Sequence, residues 1–229
     1  MSLLSVSGLT KRYGGIAALA GCELEFARPG IYGLIGPNGA GKTTLFDVIT
    51  GVTEPDAGRV RIDGRDVTRW PAHRLAACGV ARSFQECRVF PEFTCLENLL
   101  FRAREPESEA LRLLRLINLE RYAAEPAANL SFGQRRLLEI VGTFMARPRV
   151  LLLDEPAAGV NPALLELLLG FIRRMYEERP LLFLVVEHNM EFVMALAGEV
   201  VVMHQGRVLE RGTPQEVQAS ARVLEAYLG

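Results

Sequence analysis

Residues 36–43 read Gly36-Pro37-Asn38-Gly39-Ala40-Gly41-Lys42-Thr43, an unbroken G-x-x-x-x-G-K-[ST]. This stretch constrains the fold more than any other in the chain. Glycines let backbone N–H groups turn inward around phosphate oxygens without side-chain clashes. The helix that follows aims the positive end of its dipole at the anion. Lys42 can then reach the β- and γ-phosphates, and the Thr43 hydroxyl, with Thr44 beside it, can hold Mg2+ and phosphate. Such a loop needs a strand before it and a helix after it, and the flanks supply both. Ile31 to Ile35 is an apolar run, while Leu45, Val48 and Ile49 stand at helical spacing before Gly51 stops the helix. By chance the pattern arises in roughly one chain in a hundred of this length. Here it also holds one of only two lysines, Lys11 and Lys42, in a chain with 26 basic residues.

The 229 residues suit one α/β domain, alone or with a small appended subdomain. Apolar residues make up 49% and charged residues 23%, which excludes disorder as the main state. The net charge of −1 leaves no whole-chain basic footprint, so no nucleic-acid partner is expected. Apolar runs such as Leu181 to Val186 fall short of a membrane span, and the N-terminal stretch MSLLSVSGLTKRYGG has no signal-peptide pattern. A cytoplasmic chain is therefore expected. Cys22, Cys78, Cys87 and Cys95 have no C-x-x-C spacing and read as reduced structural thiols.

Short β-type runs come first: Leu3 to Val6, Cys22 to Phe26, and Arg59 to Ile62 before the turn signal Asp63-Gly64. The middle, from about 86 to 130, reads as helical, with an amphipathic helix through Leu111, Leu114, Leu116, Ile117 and Leu119. Val150 to Leu153 and Leu181 to Val186 are continuous apolar runs of the kind found in buried parallel strands, with a helix from Leu164 to Met175 between them. Glu199 to Met203 and Arg207 to Glu210 form a hairpin across Gln205-Gly206, and Val217 to Leu228 a terminal helix.

The run from Val150 ends in Asp154-Glu155-Pro156. Two carboxylates at the carboxyl end of a parallel strand lie beside the phosphate loop in a doubly wound sheet. Asp154 is placed to hold Mg2+, and Glu155 to polarise a water for attack on the γ-phosphate. His188 follows the next apolar run and stands parallel to Glu155, where it can bond the γ-phosphate or orient that water. Elsewhere, Ser131 and Gln134 in Leu130-Ser131-Phe132-Gly133-Gln134 have capping-box spacing. Spacing alone leaves two readings open: a well-capped helix, or a helix N-terminus that binds an anion.

GPNGAGKTT, Gln85, LSFGQ, LLLDEP and His188 occur in that order. In this the chain resembles the ATP-binding-cassette (ABC) ATPases over essentially its whole length. The resemblance implies an α/β fold: a P-loop NTPase core with a mostly parallel sheet, an N-terminal antiparallel β subdomain and an inserted α-helical subdomain at about 86–147, all in one domain spanning 1–229. It implies a head-to-tail dimer with two sandwiched ATP molecules, each touching the phosphate loop of one subunit and Ser131, Gly133 and Gln134 of the other. Tyr13 matches the residue that stacks on adenine, and Gln85 the residue linking Mg2+ and attacking water to the helical insertion. Ala157 to Asn161 match the loop that crosses the dimer interface.

A narrower resemblance rests on Ala81 to Gln85, Phe132, Asp154 to Pro162, Glu187 to Met190 and the ending Ala226-Tyr227-Leu228-Gly229. These are similar to ATP-binding subunits of branched-chain amino-acid importers, and partly to urea and lipopolysaccharide systems. That implies hydrolysis driving import through separate membrane-spanning subunits, by a homodimer or a heterodimer with a sister ATPase, peripheral on the inner face of the cell membrane. The expected docking surface is the groove between core and insertion, with Gln85 to Pro91 as its floor. The chain departs from the commonest ABC signature at Phe132, where glycine is usual although an aromatic suits the importers, at Val141-Gly142-Thr143-Phe144, where many relatives carry Ala-Arg-Ala-Leu, at Asn161 for a frequent aspartate, and in a shorter insertion from Glu86 to Asn129. Two other classes share parts of this pattern. A soluble ABC ATPase acting on nucleic acid or the ribosome would usually carry a second cassette or a basic tail. A small-molecule kinase would have no use for LSFGQ.

Overall fold

The computed structural model describes residues 2–101 and 103–228. Two sheets form the frame. The first is antiparallel and runs β2 (Ile16–Phe26), β1 (Leu4–Tyr13), β4 (Ala57–Ile62), β5 (Arg65–Asp66). The second runs β10 (Arg207–Gly212), β9 (Glu199–His204), β3 (Gly30–Ile35), β8 (Leu182–Val186), β7 (Val150–Asp154), β6 (Val80–Arg82). Every pairing in it is parallel except β10 with β9. Both turn signals hold: Asp63 and Gly64, and Gln205 and Gly206, all have positive φ at their hairpin tips.

The apolar strands β7 and β8 are buried on both faces, as their unbroken apolar runs require. Val150, Leu152, Leu182 and Leu184 join a core with the antiparallel sheet and helix α1 (Lys42–Ile49). Leu151, Leu153, Phe183 and Val185 face the other way, into the helices. Between β4 and β6 lies the short α2 (Ala72–Ala77). Between β6 and β7 stand α3 (Cys95–Leu100), α4 (Glu107–Leu116), two 3-10 turns (Glu120–Tyr122, Ala127–Asn129) and α5 (Phe132–Phe144). Then come α6 (Pro162–Glu178), α7 (Met190–Leu196), α8 (Pro214–Ala219) and α9 (Ala221–Leu228).

Three expectations need correction. β1 and β2 are longer than their apolar runs, because antiparallel pairing carries them through register shifts past Gly8 and Gly21. The amphipathic helix ends at Leu116, and Ile117 and Leu119 reach the core from the loop beyond it. The terminal helix is two helices: Ser220 breaks out of helical geometry, donates to Glu210 at 2.6 Å and accepts from the Val223 N–H. Gly229 lies outside the described residues. All four cysteines are free, and burial pushes the Cys22 thiol up to about 12.

Candidate functional site

The strand register builds the site. Leu34, Val186 and Asp154 stand side by side across β3, β8 and β7. Their carboxyl ends therefore deliver Gly36, His188 and Glu155 to one edge of the sheet, the edge where parallel α/β sheets hold ligands.

The phosphate loop is held from outside. Gly206 in the β9–β10 turn donates to Ala40 O and accepts from Ala20 N, each at 3.0 Å. Gly41 has φ +100, and a β-carbon there would come within 2.3 Å of Ala18 O. That position needs glycine both for conformation and for space. Helix α1 begins at Gly41 with no side-chain cap, so its first N–H groups are left to a ligand. Lys42 is buried, and its Nζ donates to Gly36 O at 2.7 Å and Pro37 O at 3.1 Å. Burial lowers its pKa, opposed by Glu155 and Asp154. Asn38, Gly39 and Thr43 are exposed; Pro37 and Thr44 are half-buried.

Glu155 sits at φ 46, left-handed for a residue with a β-carbon. Its N–H donates to Val186 O at 2.9 Å. Its carboxylate is bracketed: Gln85 Nε2 donates to Oε2 at 3.3 Å, and His188 Nε2 lies 3.1 Å from Oε1. Asp154 is buried and pairs through Oδ2 with Arg82 at 2.7 Å, while the same guanidinium holds Asp47 of α1 at 2.6 Å. Ser83 Oγ accepts from Asp154 N at 3.1 Å. Glu187 is buried and collects three N–H groups, from Ala157, His188 and Asn189. Burial nonetheless raises its pKa.

Among the described residues no cluster of three or more His, Cys, Asp or Glu could hold a metal ion by itself. Mg2+ takes one or two protein oxygens and fills its octahedron with water and phosphate. Thr43, exposed, and Asp154, with only Oδ2 engaged by a side chain, fit such a partial donor set.

The remaining expected residues make their own local contacts. Ser131 is exposed and caps α5, accepting from Gln134 N while Gln134 Oε1 accepts from Ser131 N at 2.9 Å. Buried Gly133 packs against Leu164 and Val160, and among the described residues no hydrogen bond joins 131–134 to 36–44. Tyr13 stands half-exposed at the β1–β2 tip with the Lys11 ammonium 5.5 Å from its ring centre.

Sequence reasoning missed Arg82, Arg136, Glu139 and Glu187. Arg136 had one signal. It is a charge on the face of α5 shared by Gly133 and Ile140, and it is 1% exposed. A cleft of about 460 Å3 lies between core residues such as Val52, Leu75 and Val80 and the helical residues Arg104, Gly142 and Thr143. No residue from Gln85 to Pro91 lines it. Arg88, Val89 and Phe90 border a smaller hollow that shares Gly142.

A model of the ABC transporter family matches residues 19–158. The chain belongs to that family and is an ATP-binding, ATP-hydrolysing cassette of it. A second model, of the branched-chain amino acid ATP-binding cassette transporter, matches residues 207–229. BraF of Pseudomonas aeruginosa, a high-affinity branched-chain amino acid transport ATP-binding protein, is 40% identical over 249 aligned positions, covering 99% of this chain and 98% of that one. LivG of Escherichia coli K12, described in the same terms, is 37% identical with the same coverage. Both alignments are longer than this chain, so the relatives carry segments it lacks. Among solved structures, a nucleotide-free cassette from an ABC transporter superposes with TM-score 0.89 at 29% identity, covering 100% of both chains. The ADP conformation of an ABC transporter cassette also gives 0.89, at 30% identity, covering 100% of this chain and 99% of that one.

Proposed function

We propose that this chain energises import of branched-chain amino acids, hydrolysing ATP at the inner face of the cell membrane on behalf of separate membrane-spanning subunits. Two lines support the cargo: the BraF and LivG relationships along almost the whole chain, and the second family match at the C-terminus. No described helix is long and apolar enough to cross a membrane, so on this reading the membrane path belongs to partners.

The observation that carries the mechanism is the Glu155 carboxylate, held between Gln85 and His188 at the strand end next to Lys42. The N–H groups of Gly36 to Thr44 cradle the phosphates. Lys42 leaves the carbonyls of Gly36 and Pro37 for phosphate oxygens, and Tyr13 stacks on adenine. Thr43, Asp154 and Gln85 would hold Mg2+, which would supply charge neutralisation and orientation of the phosphates. Glu155 accepts the proton of the attacking water, and His188 bonds the γ-phosphate and steadies that water. Ser131, Gly133 and Gln134, which make no hydrogen bond to the phosphate loop among the described residues, act on the ATP of a second cassette, in a homodimer or with a sister ATPase.

The cleft between core and helices is where a segment of the membrane partner docks. Beside it, Phe90, Phe93 and Phe101 form an exposed aromatic cluster with ring centres 4.7 to 6.0 Å apart. Glu155→Gln tests the whole reading. It keeps ATP binding, stops turnover and accumulates an ATP-bound dimer in gel filtration. Tagged Glu155→Gln protein recovered with ATP from detergent-solubilised native membranes brings down multi-span proteins. Turnover at the parent rate would sink the role of Glu155, and recovery of soluble partners alone would sink the transporter reading.

A further inference from the structure

One buried guanidinium touches the three segments on which hydrolysis depends. Arg136 lies in the first half of α5, five residues past Ser131, and is 1% exposed. Its Nη2 donates to the carbonyls of Asp154 at 2.6 Å and Glu155 at 3.1 Å. Its Nη1 donates to the carbonyl of Phe84 and, at 2.8 Å, to Glu139 Oε2. Glu139 faces the same way one turn on, and its Oε1 accepts from the Phe84 N–H at 3.4 Å. Burial raises the Glu139 carboxyl while Arg136 pulls it down. The pair therefore grips both backbone groups of the residue before Gln85.

Glu155 needs this grip. A residue with a β-carbon keeps φ 46 only where its surroundings determine it. Three contacts do so here: its N–H to Val186 O, the Ala158 N–H to its carbonyl at 3.1 Å, and Arg136 on that same carbonyl. Of these, only Arg136 also reaches the Gln85 segment and the helix that starts at Ser131. A buried ion pair can often be replaced by apolar residues without loss of stability. What this pair contributes is therefore sought in the backbone carbonyls it holds rather than in stability.

We propose that Arg136, supported by Glu139, is the positioning residue of the hydrolytic centre: it fixes the backbone turn that aims Glu155 and ties that turn to the Gln85 segment and to the helix carrying Ser131. The proposal rests on the reading of Glu155 given above.

The test compares the full-length parent with Arg136→Met/Glu139→Leu, which removes both buried charges together, and with Arg136→Lys, which keeps the ion pair but loses the two-pronged donor. Melting temperature, ATP affinity, kcat and KM, and gel filtration with Mg-ATP are read for each. A misaimed Glu155 lowers kcat at least about tenfold in the double variant, since displacements near 1 Å at a reacting centre can cost a hundredfold. KM stays within about twofold. An ATP-bound dimer accumulates although Glu155 is intact, which a merely loosened fold does not produce. Arg136→Lys shows the same split, smaller. Parental kcat in either folded variant overturns the proposal, as does a loss of ATP affinity in proportion to kcat. If the double variant does not fold, the lysine variant decides alone. Glu155→Gln is run alongside: if it turns over normally, the Glu155 reading itself has failed, whereas active Arg136 variants beside an inactive Glu155→Gln reject only the positioning role.

Discussion

Two helix N-termini form the two halves of the proposed ATP sandwich, and the chain treats them oppositely. Helix α1 starts at Gly41 with no side-chain cap, and its donors are left for a ligand. Helix α5 starts at Ser131 inside a complete capping box, closed by Gln134. The first end is braced from outside, Gly206 holding Ala40 and Ala20 holding Gly206, with Lys42 buried beside it. The second is exposed and already satisfied. An uncapped helix end following a glycine loop leaves its donors free for an anion, so the phosphate-loop half is built to bind ATP within one chain. A capped end is stable without one. Ser131 Oγ accepts from Gln134 N, which leaves the hydroxyl hydrogen free to donate across an interface. One half binds, and the other waits for a partner.

The comparison breaks most sharply at Lys42. Lys42→Met fills similar space but removes the charge-assisted bonds to phosphate, worth about 1.5–3 kcal/mol. ATP affinity of the monomer, measured by calorimetry, falls about 10- to 100-fold. Ser131→Arg leaves that affinity unchanged and abolishes the ATP-dependent dimer. Monomer affinity that fell equally in both variants would dissolve the distinction between the two halves.

A subtler pair sharpens it. Ser131→Asp keeps a good cap, so the melting temperature holds, but its carboxylate repels the partner's γ-phosphate and the dimer is lost. Ser131→Ala removes the cap, costs about 1 kcal/mol and lowers Tm by about 2–4 °C. If aspartate preserved the dimer, Ser131 would be a cap and nothing more.

Much of this asymmetry was readable in the residues. The phosphate loop needs local glycines, one lysine and flanking periodicity, all contiguous. The carboxylates of Asp154 and Glu155 end a strand whose apolar run announces itself. The capping box shows in spacing, although spacing could not say whether the helix end also serves a ligand. What stayed hidden comes from distant parts of the chain. Arg82 meets Asp154 across 72 positions, and Arg136 meets Phe84 across 52, on the sheet register rather than on any local period. The terminal helix was misread because its apolar spacing runs on through Ser220, whose hydroxyl finds Glu210 only once β10 is in place. The cleft between core and helices left no local signal for a similar reason: Gly142, on α5, opens it opposite residues of α2 and β6 that no local pattern connects to it.

The smallest effect separates α5 from the other helices that carry a capping box. Thr94 and Thr213 cap α3 and α8 with glutamates, Glu97 and Glu216, at the position where α5 has Gln134. The backbone N–H of each threonine holds its glutamate below the usual carboxylate range. A depressed folded-state pKa stabilises above the unfolded value, and that contribution is lost as pH falls through the folded one. Gln134→Glu should therefore raise Tm by about 1–2 °C at neutral pH, through the box and the helix dipole, with the gain disappearing in melts below the carboxylate range. The same charge should weaken the ATP-dependent dimer at neutral pH, because it is added where the partner's phosphate arrives. A gain in Tm with an undiminished dimer would place the ATP of the second cassette elsewhere, and would explain the neutral glutamine of α5 by packing alone.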